Sequence, residues 1–156
     1  MANKGNIKIL TQNKKAHFNY EPVESFEAGL VLKGSEVKSI RMGKVNIQDA
    51  FCLIRQGEAF IHNMIIQPYP FATYENHEPG AIRKLLLHKR EINRLIGKIQ
   101  QKGYSLIPLK LYFKNGKIKI EIALARGKKE YDKKQKIKER EHKRELDKIE
   151  KHYKLR

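Results

Sequence analysis

The sequence predicts a mainly β protein with peripheral helices, followed by a separate, highly charged C-terminal tail. Three observations lead to this prediction: segments in which apolar residues alternate, two turn signals between such segments, and one long amphipathic helical pattern. No strand–helix–strand alternation is present in the sequence, so a parallel sheet is not expected. The order of elements favours an antiparallel β-barrel of the oligonucleotide-binding type, closed or nearly closed, with helices at its ends.

Alternation and turn chemistry define the strands. Apolar residues occupy every second position from Phe26 to Leu32, which places Glu27 on the opposite face. One hairpin is predicted about Gln56-Gly57 and a second about Asn115-Gly116, where both central residues accept positive φ. In the second hairpin the residues predicted to face each other across the core are Leu109, Leu111 and Phe113 with Ile118, Ile120 and Ile122. The opposite face is expected to be cationic through Lys110, Lys114, Lys117 and Lys119.

Two helices are predicted between the strands. Ser35 is expected to cap a short helix that directs Val37 and Ile40 inward and Lys38 and Arg41 outward. A longer helix carries apolar residues at spacings i, i+3, i+4 and i+7, namely Ile92, Leu95, Ile96 and Ile99. Gly103 stands where a glycine that ends a helix is expected.

Composition divides the 156 residues into a body and a tail. Residues 1–126 are predicted to form the body, with residues 1–12 loosely ordered, because residues 6–125 hold nearly all the Leu, Ile, Val and Phe. Residues 127–156 contain 13 of the 34 Lys and Arg but few large apolar residues. The net charge of +17, shared by both parts, favours a nucleic-acid partner.

The sequence carries no signal for disulfides, metals, cofactors or a membrane. Cys52 is the only cysteine, so no disulfide can form within the chain. No segment approaches the ~20 apolar residues of a membrane span, and the N-terminus is too polar for a signal peptide. We therefore expect a cytoplasmic protein without a cofactor.

Two features of the body suggest RNA contacts, each with a simpler alternative. In the segment QNKKAHFNY, lysines precede two aromatic residues, a combination that can neutralise phosphates while a ring stacks on a base. Exposed strand lysines such as Lys114, Lys117 and Lys119 can equally serve solubility and protect sheet edges. Glu27 is either a solvated or salt-bridged carboxylate, or an acceptor for the amino edge of a base.

Catalysis is not expected. The sequence shows no glycine-rich phosphate loop, no paired carboxylates at motif spacing and no convincing Ser, His and acid set. An RNA-modifying or RNA-cleaving enzyme that uses His17, His77 or His88 remains the rival of a different class.

The tail has strong helix propensity and little to bury. Its apolar stripe (Ile137, Leu146, Ile149 and Tyr153) is too narrow to hold the segment onto the body. Glu139 and Lys143 form one of several i, i+4 pairs, each worth roughly 0.3 kcal/mol. We expect a segment that is disordered in solution and becomes helical on a surface; the alternative is a merely solvating tail.

Several long stretches resemble the bacterial SsrA-binding protein family (small protein B). They are NKKAHFNY, FEAGLVLKGSEVKSIRMGK, RKLLLHKREI and GYSLIPLKLYFKNGKIKIEIALARGKKEYDKK. The resemblance implies a non-catalytic adaptor in trans-translation. Such a protein binds the tRNA-like domain of transfer-messenger RNA (tmRNA, SsrA RNA) and accompanies it to stalled ribosomes, where its tail folds in the decoding centre and the empty mRNA channel.

The resemblance also implies partners and site residues. The partners are tmRNA, the stalled 70S ribosome with its small-subunit rRNA, and, through the same RNA, elongation factor Tu with GTP and alanyl-tRNA synthetase; a monomer is expected. The implied tmRNA-binding residues are Asn13, Lys14, Lys15, Tyr20, Glu27, Lys38, Arg41, Arg83 and Lys84. The residues implied for the decoding centre and mRNA channel are Gly127, Lys128, Lys129, Tyr131, Asp132, Lys133, Lys134, Lys136, Lys138 and Arg140.

Four residues depart from the family pattern. Tyr131 stands where members often have His, and Lys134 replaces a frequent Arg, which loses a bidentate phosphate contact. Phe18 stands where His is common and Ala81 where many members have Arg. A ribosomal or ribosome-assembly protein that binds rRNA is the alternative of the same broad class.

Overall fold

The computed structural model describes residues 6–72, 75–101, 103–128 and 137–148. The strands are β1 (Ile7–Gln12), β2 (Tyr20–Leu30), β3 (Val45–Asn46), β4 (Phe51–Arg55), β5 (Glu58–His62), β6 (Ile65–Ile66), β7 (Arg83–Leu86), β8 (Tyr104–Lys114) and β9 (Lys117–Gly127). The helices are α1 (Lys14–Asn19), α2 (Gly34–Arg41), α3 (Lys89–Ile99) and α4 (137–148). The predicted class, mainly β with a few helices, is confirmed.

Six strands close into a ring in the order β8-β4-β5-β7-β2-β9, because β9 pairs with both β2 and β8. All of these pairs are antiparallel, and β1 adds to the outer edge of β8. Strands β3 and β6 form a separate two-stranded sheet. None of the described helices is long and apolar enough to cross a membrane.

Local turn chemistry placed both predicted hairpins correctly. The β4–β5 hairpin turns at Gln56 and Gly57, with φ of 52° and 75°, and the β8–β9 hairpin turns at Asn115 and Gly116, with φ of 53° and 76°. Both pairs therefore adopt the positive φ that narrow hairpin turns need. Each turn fixes the register of its two strands, and this register decides which side chains point into the ring.

The main core is built from alternate residues of the ring strands, from one face of α2 and of α3, and from residues in and next to β3 and β6. Its fully buried large side chains are Ile40, Ile47, Ile61, Met64, Ile66, Leu85, Leu95, Leu111, Ile120, Ile122 and Leu124. The predicted amphipathic helix is confirmed as α3, whose Ile92 and Leu95 are buried. Lys38 and Arg41 of α2 are exposed, as predicted, while Ile40 is buried.

A second, smaller cluster lies under α1 and depends on a bulge in β8. The β8–β9 register shifts between Pro108 and Lys110, which turns Leu109 away from the main core. Leu109 packs instead with Ile107 and with Ala16 of α1. The prediction that Leu109 faces the same side as Leu111 is therefore wrong, because alternation reverses across a bulge.

Three other expectations differ from the structure. Residues 7–12, predicted to be loosely ordered, form β1 and pair with β8. The N-cap of α2 is Lys33, whose backbone N–H donates to Glu36 Oε1 at 2.8 Å, and Ser35 lies inside the first turn. Gly103 does adopt a positive φ of 92°, but α3 ends at Ile99 with Gln100 as its C-cap.

A buried ion pair ties α2 to the start of β7. The Arg83 guanidinium donates through Nε to Glu36 Oε2, and both side chains are almost completely buried. Its other N–H groups donate to four backbone carbonyls, those of Met64, Glu78, Pro79 and Ala81. All five guanidinium donors are therefore satisfied within the protein.

Replacing Arg83 by Met should destabilise the protein by about 3–5 kcal/mol, because Glu36 would be left buried without its partner. Urea denaturation measures this loss in the free energy of unfolding. Lys84→Met is the matched control on the next position of β7, since the Lys84–Glu58 pair is exposed and worth at most about 1 kcal/mol. Equal losses in the two variants would contradict the structural role of Arg83.

Candidate nucleic-acid interface

A polar cluster around Glu27 lies on the outer face of the ring, where β2, β9 and β8 run side by side. The Tyr112 hydroxyl donates to Glu27 Oε2 at 2.5 Å, and Lys114 Nζ lies 3.3 and 3.2 Å from the two carboxylate oxygens. Glu121 is opposite Glu27 on β9 and pairs with Lys110 at 3.3 Å. The predicted cationic face is therefore mixed, with two carboxylates set among its lysines.

The surroundings of Glu27 keep its carboxylate ionised. The hydrogen bond from Tyr112 lowers the pKa of Glu27, and Lys114 and Lys119 lower it further, while partial burial acts in the opposite direction. Burial and the adjacent Glu27 carboxylate raise the pKa of Tyr112, which therefore keeps its proton. Glu27 is held as an oriented anion, and 38% of its side-chain surface is accessible to a ligand.

The contact with Lys114 is the salt bridge expected if Glu27 is an ordinary surface carboxylate. It does not exclude the alternative, in which Glu27 accepts a hydrogen bond from the amino edge of a base. A base amino group could replace Lys114 at the carboxylate, which would leave the lysine ammonium to bind a phosphate. Tyr112 would keep its hydrogen bond during this exchange, because its side chain is buried whereas Lys114 is partly exposed. The geometry therefore suits a fixed acceptor beside a movable cation.

A second group of predicted residues surrounds α1. Lys14 is exposed, and Lys15 Nζ pairs with Asp49 Oδ1 at 3.0 Å while both side chains remain largely accessible. Tyr20, at the start of β2, packs against the small cluster under α1 and stays partly exposed. Two lysines and the partly exposed aromatic side chain of Tyr20 thus lie close together at this end of the six-stranded ring.

A third group lies on α2. The Lys38 ammonium is 5.4 Å from the centre of the Tyr69 ring, and the Arg41 guanidinium is 5.8 Å from that of Phe113. Both cations therefore lie over aromatic rings, an arrangement that nucleic-acid sites often use.

Two of the predicted RNA-binding residues do not fit direct contact. Asn13 is 1% exposed; its Oδ1 caps α1 at Ala16 N–H, and its Nδ2 donates to the carbonyls of Ile47 and Pro108 at 3.0 Å each. Arg83 is 3% exposed, and its donors are all used internally. Both buried side chains have a structural role: Asn13 holds α1 in place and Arg83 holds α2.

The start of the tail is attached to α1. Gly127 ends β9, and the next residue, Lys128, donates its backbone N–H to Asn19 O at 2.8 Å and its Nζ to His17 O at 3.0 Å. Lys138 and Arg140 lie in α4, where every side chain is exposed. The remaining tail residues predicted to contact the ribosome lie outside the described residues: Lys129, Tyr131, Asp132, Lys133, Lys134 and Lys136.

Of the three histidines weighed for catalysis, His77 has a clear structural role. It is buried, its Nε2 donates to Ile66 O at 2.9 Å, and its Nδ1 lies 2.9 Å from Ser35 Oγ. The ring therefore links α2 to the segment before β7. Because the imidazole is buried and both of its nitrogens have partners within the protein, it is not accessible to a bound RNA.

Sequence reasoning missed Tyr112 as the partner of Glu27. Its alternation with Lys110 and Lys114 on one strand face was visible, but the partner strand and its register were not. The signal that could have identified it is a lone aromatic residue among the lysines of an otherwise polar face.

Tyr112→Phe should raise the pKa of Glu27 toward its ordinary value, because the main hydrogen bond to the carboxylate is lost. Carboxyl ¹³C NMR measures this change. A lowered carboxyl pKa stabilises the fold above the pKa of the unfolded chain, and that contribution disappears as pH falls through the folded-state value. The wild type should therefore exceed Tyr112→Phe in stability by about 1 kcal/mol at neutral pH and lose this advantage in acid.

The matched control is Tyr104→Phe, since the Tyr104 hydroxyl contacts Arg126 and not Glu27. It should leave the titration of Glu27 unchanged. An unaltered Glu27 titration in Tyr112→Phe would remove Tyr112 from this role.

Comparison with known proteins identifies the family. A family model described as "SmpB protein" matches residues 10–152. The chain is 60% identical over 142 residues to the SsrA-binding protein of Persephonella marina, covering 91% of this chain and 93% of the relative. It is 55% identical over 139 residues to that of Geobacter metallireducens, covering 89% and 91%.

A solved structure described as "tmRNA-SmpB: a journey to the center of the bacterial ribosome" is also similar. Its chain matches with a TM-score of 0.64 and 48% identity, over 77% of this chain and 85% of that chain. The chain therefore belongs to the SmpB family of SsrA-binding proteins.

Proposed function

We propose that this protein is an RNA-binding adaptor in trans-translation: it binds the tRNA-like domain of tmRNA and accompanies it to stalled ribosomes. The observation that carries this function is the 52–60% identity to SsrA-binding proteins over most of the chain. The net charge of +17 and the mixed polar face around Glu27 support it, because they suit a folded polyanion.

The ring, in this proposal, is a β-barrel of the oligonucleotide-binding type. Its closed antiparallel order and the helices at its ends agree with such a fold. The body contacts RNA through the members of the predicted set that are exposed or partly exposed: Lys14, Lys15, Tyr20, Glu27, Lys38, Arg41 and Lys84. Asn13 and Arg83 act indirectly, since they hold α1 and α2 in place.

Each kind of residue has its own task at this interface. The lysines and Arg41 bind phosphates, which supplies affinity without reading sequence. Glu27 accepts a hydrogen bond from a base and so contributes specificity, because a carboxylate can pair with amino groups but repels phosphate. Elongation factor Tu with GTP and alanyl-tRNA synthetase act on the same RNA in this proposal. Binding and delivering the RNA requires only a monomeric, non-catalytic protein.

In this proposal, the tail binds in the decoding centre and the empty mRNA channel of the stalled ribosome. Its cationic surplus suits a channel walled by rRNA, and its helix propensity lets it fold once it lies there. Ordering each backbone residue costs about 1–2 kcal/mol, so folding is favourable only where many contacts form. The tail therefore distinguishes an empty mRNA channel from an occupied one.

Glu27→Gln should weaken binding to the tRNA-like domain by roughly fivefold or more, and binding to generic duplex RNA far less. The reason is that the amide keeps the shape but loses the negative charge that accepts a base amino group. Glu121→Gln is the matched control, because Glu121 lies opposite Glu27 on β9 and its substitution removes the same charge. Gel-shift titrations of both RNAs measure the difference, and equal effects of the two variants would exclude a specific role for Glu27.

Truncation after Lys128 should leave the affinity for tmRNA within about twofold of the full chain and abolish tagging of stalled polypeptides. This end point retains β9 and both Lys128 contacts with α1, so the body stays intact. Binding is measured by titration, and tagging in a reconstituted translation reaction. A large loss of tmRNA affinity would contradict the division between body and tail.

A further inference from the structure

The ring of strands is weakly closed between β4 and β8. Strand β4 pairs with β5 along its whole length, from Phe51 to Arg55, but with β8 only at Cys52 and Leu106. Next to this pair the two strands border a cavity of about 580 Å³, and the C-terminal end of α3 forms a third wall. We call this space the seam cavity. Its volume lies within the roughly 300–1,000 Å³ that small-molecule sites occupy.

The wall of the seam cavity is mostly apolar and carries no charge. Strand β4 contributes Leu53 and Ile54, and α3 contributes Ile96 and Ile99. None of the described residues that line the cavity is charged, although 33% of the residues in the chain are. Burial raises the pKa of the Cys52 thiol, which therefore stays neutral. Three other cavities of the described chain each have at least one lysine in the wall, so the seam cavity differs from the cationic surfaces that suit RNA.

Two aromatic side chains of the wall are held by partners that lie outside it. The Phe51 ring stacks on His62, with the ring centres 5.1 Å apart and the planes at 7°. The Tyr104 hydroxyl accepts a hydrogen bond from Arg126, whose guanidinium lies 4.9 Å from the centre of the ring. These contacts restrict the orientation of both rings. An aromatic ligand would therefore find its stacking partners already in place.

Polar groups that can orient a ligand also face the seam. Hydrogen bonding to β5 alternates from the two-residue turn of the β4–β5 hairpin, so the N–H and C=O of Ile54 are directed toward β8. Ile54 has no paired residue on β8. Gln100 and Ser105 add an amide and a hydroxyl to the wall. The cavity thus offers neutral hydrogen-bonding groups among apolar side chains.

This lining selects the charge of the occupant. A fatty acid or a nucleotide would lose the hydration of its anionic group without gaining a cation from the wall, and an organic cation would find no carboxylate there. An uncharged ring system avoids both costs and can use the rings of Phe51 and Tyr104.

We propose that the seam cavity binds one uncharged small molecule that contains an aromatic ring. The site shares no wall residue with the Glu27 cluster, and it goes beyond the proposed RNA-binding function. Tyr20 lines the cavity and pairs with Gly127, so the ligand lies beside the end of β9.

Methyl NMR of the full-length wild type tests the site with two probes: N-phenyl-1-naphthylamine, which is uncharged, and its 8-sulfonate derivative, which has the same rings and a negative charge. The uncharged probe should shift the methyl signals of Leu53, Ile96 and Ile99 in a saturable manner. It should leave those of Leu86 and Ile118, which line a different cavity, unchanged. The proposal is overturned if the uncharged probe leaves the first three signals in place, or if the sulfonate shifts them as much.

Affinity measurements give an independent test. Leu53→Trp places a larger side chain in the cavity and should weaken binding of N-phenyl-1-naphthylamine by roughly tenfold or more, because the indole and the probe exclude each other. Leu53 is partly exposed and belongs to neither core cluster, so the substitution spares the core. Val31→Trp is the matched control, since Val31 is exposed outside this cavity. Fluorescence titration measures both affinities, and equal values in the two variants would exclude the seam cavity as the binding site.

Discussion

The bulge in β8 is the constraint on which both the main core and the packing of α1 depend. A regular strand presents its apolar residues to one side, but the register shift between Pro108 and Lys110 lets β8 serve two sides. Leu106 and Leu111 fill the ring, while Ile107 and Leu109 form a seat for α1. Asn13 then joins the helix to the bulge, since its backbone N–H donates to the Leu109 carbonyl and its side chain to that of Pro108.

The buried polar groups perform the same kind of task on the other side of the ring. Arg83, Glu36 and His77 connect α2 to the irregular segment before β7 through hydrogen bonds that satisfy nearly all of their donors and acceptors. Buried polar networks of this type are costly when incomplete and rigid when complete. Rigid supports on both sides allow exposed cations on short helices to keep fixed positions relative to the Glu27 cluster.

Whether a feature could be predicted from the sequence depends on how far apart in the chain its interacting residues lie. Both hairpins were predictable because their turns depend on adjacent residues, and α3 was predictable from its periodicity. The β8 bulge was not, since a register shift leaves the alternation of nearby residues intact while reversing Leu109. The resemblance to the family implied RNA contacts for Asn13 and Arg83. Their burial could not be predicted, since their partners Pro108 and Glu36 are 95 and 47 residues away in the chain and only the fold reveals them. The exposed position of Glu27 on its strand was predicted from alternation, but its contact with Tyr112 depends on the strand register, which the sequence does not show.

The hydrogen bonds of Lys128 to the carbonyls of His17 and Asn19 fix the position of the chain just after the end of β9. The same helix presents Lys14 and Lys15 on its outer side. If these lysines bind RNA, as proposed, the RNA and the start of the tail are both attached to α1. In the proposed function, the helix that meets the RNA is therefore also the helix that holds the end of β9, where the tail begins.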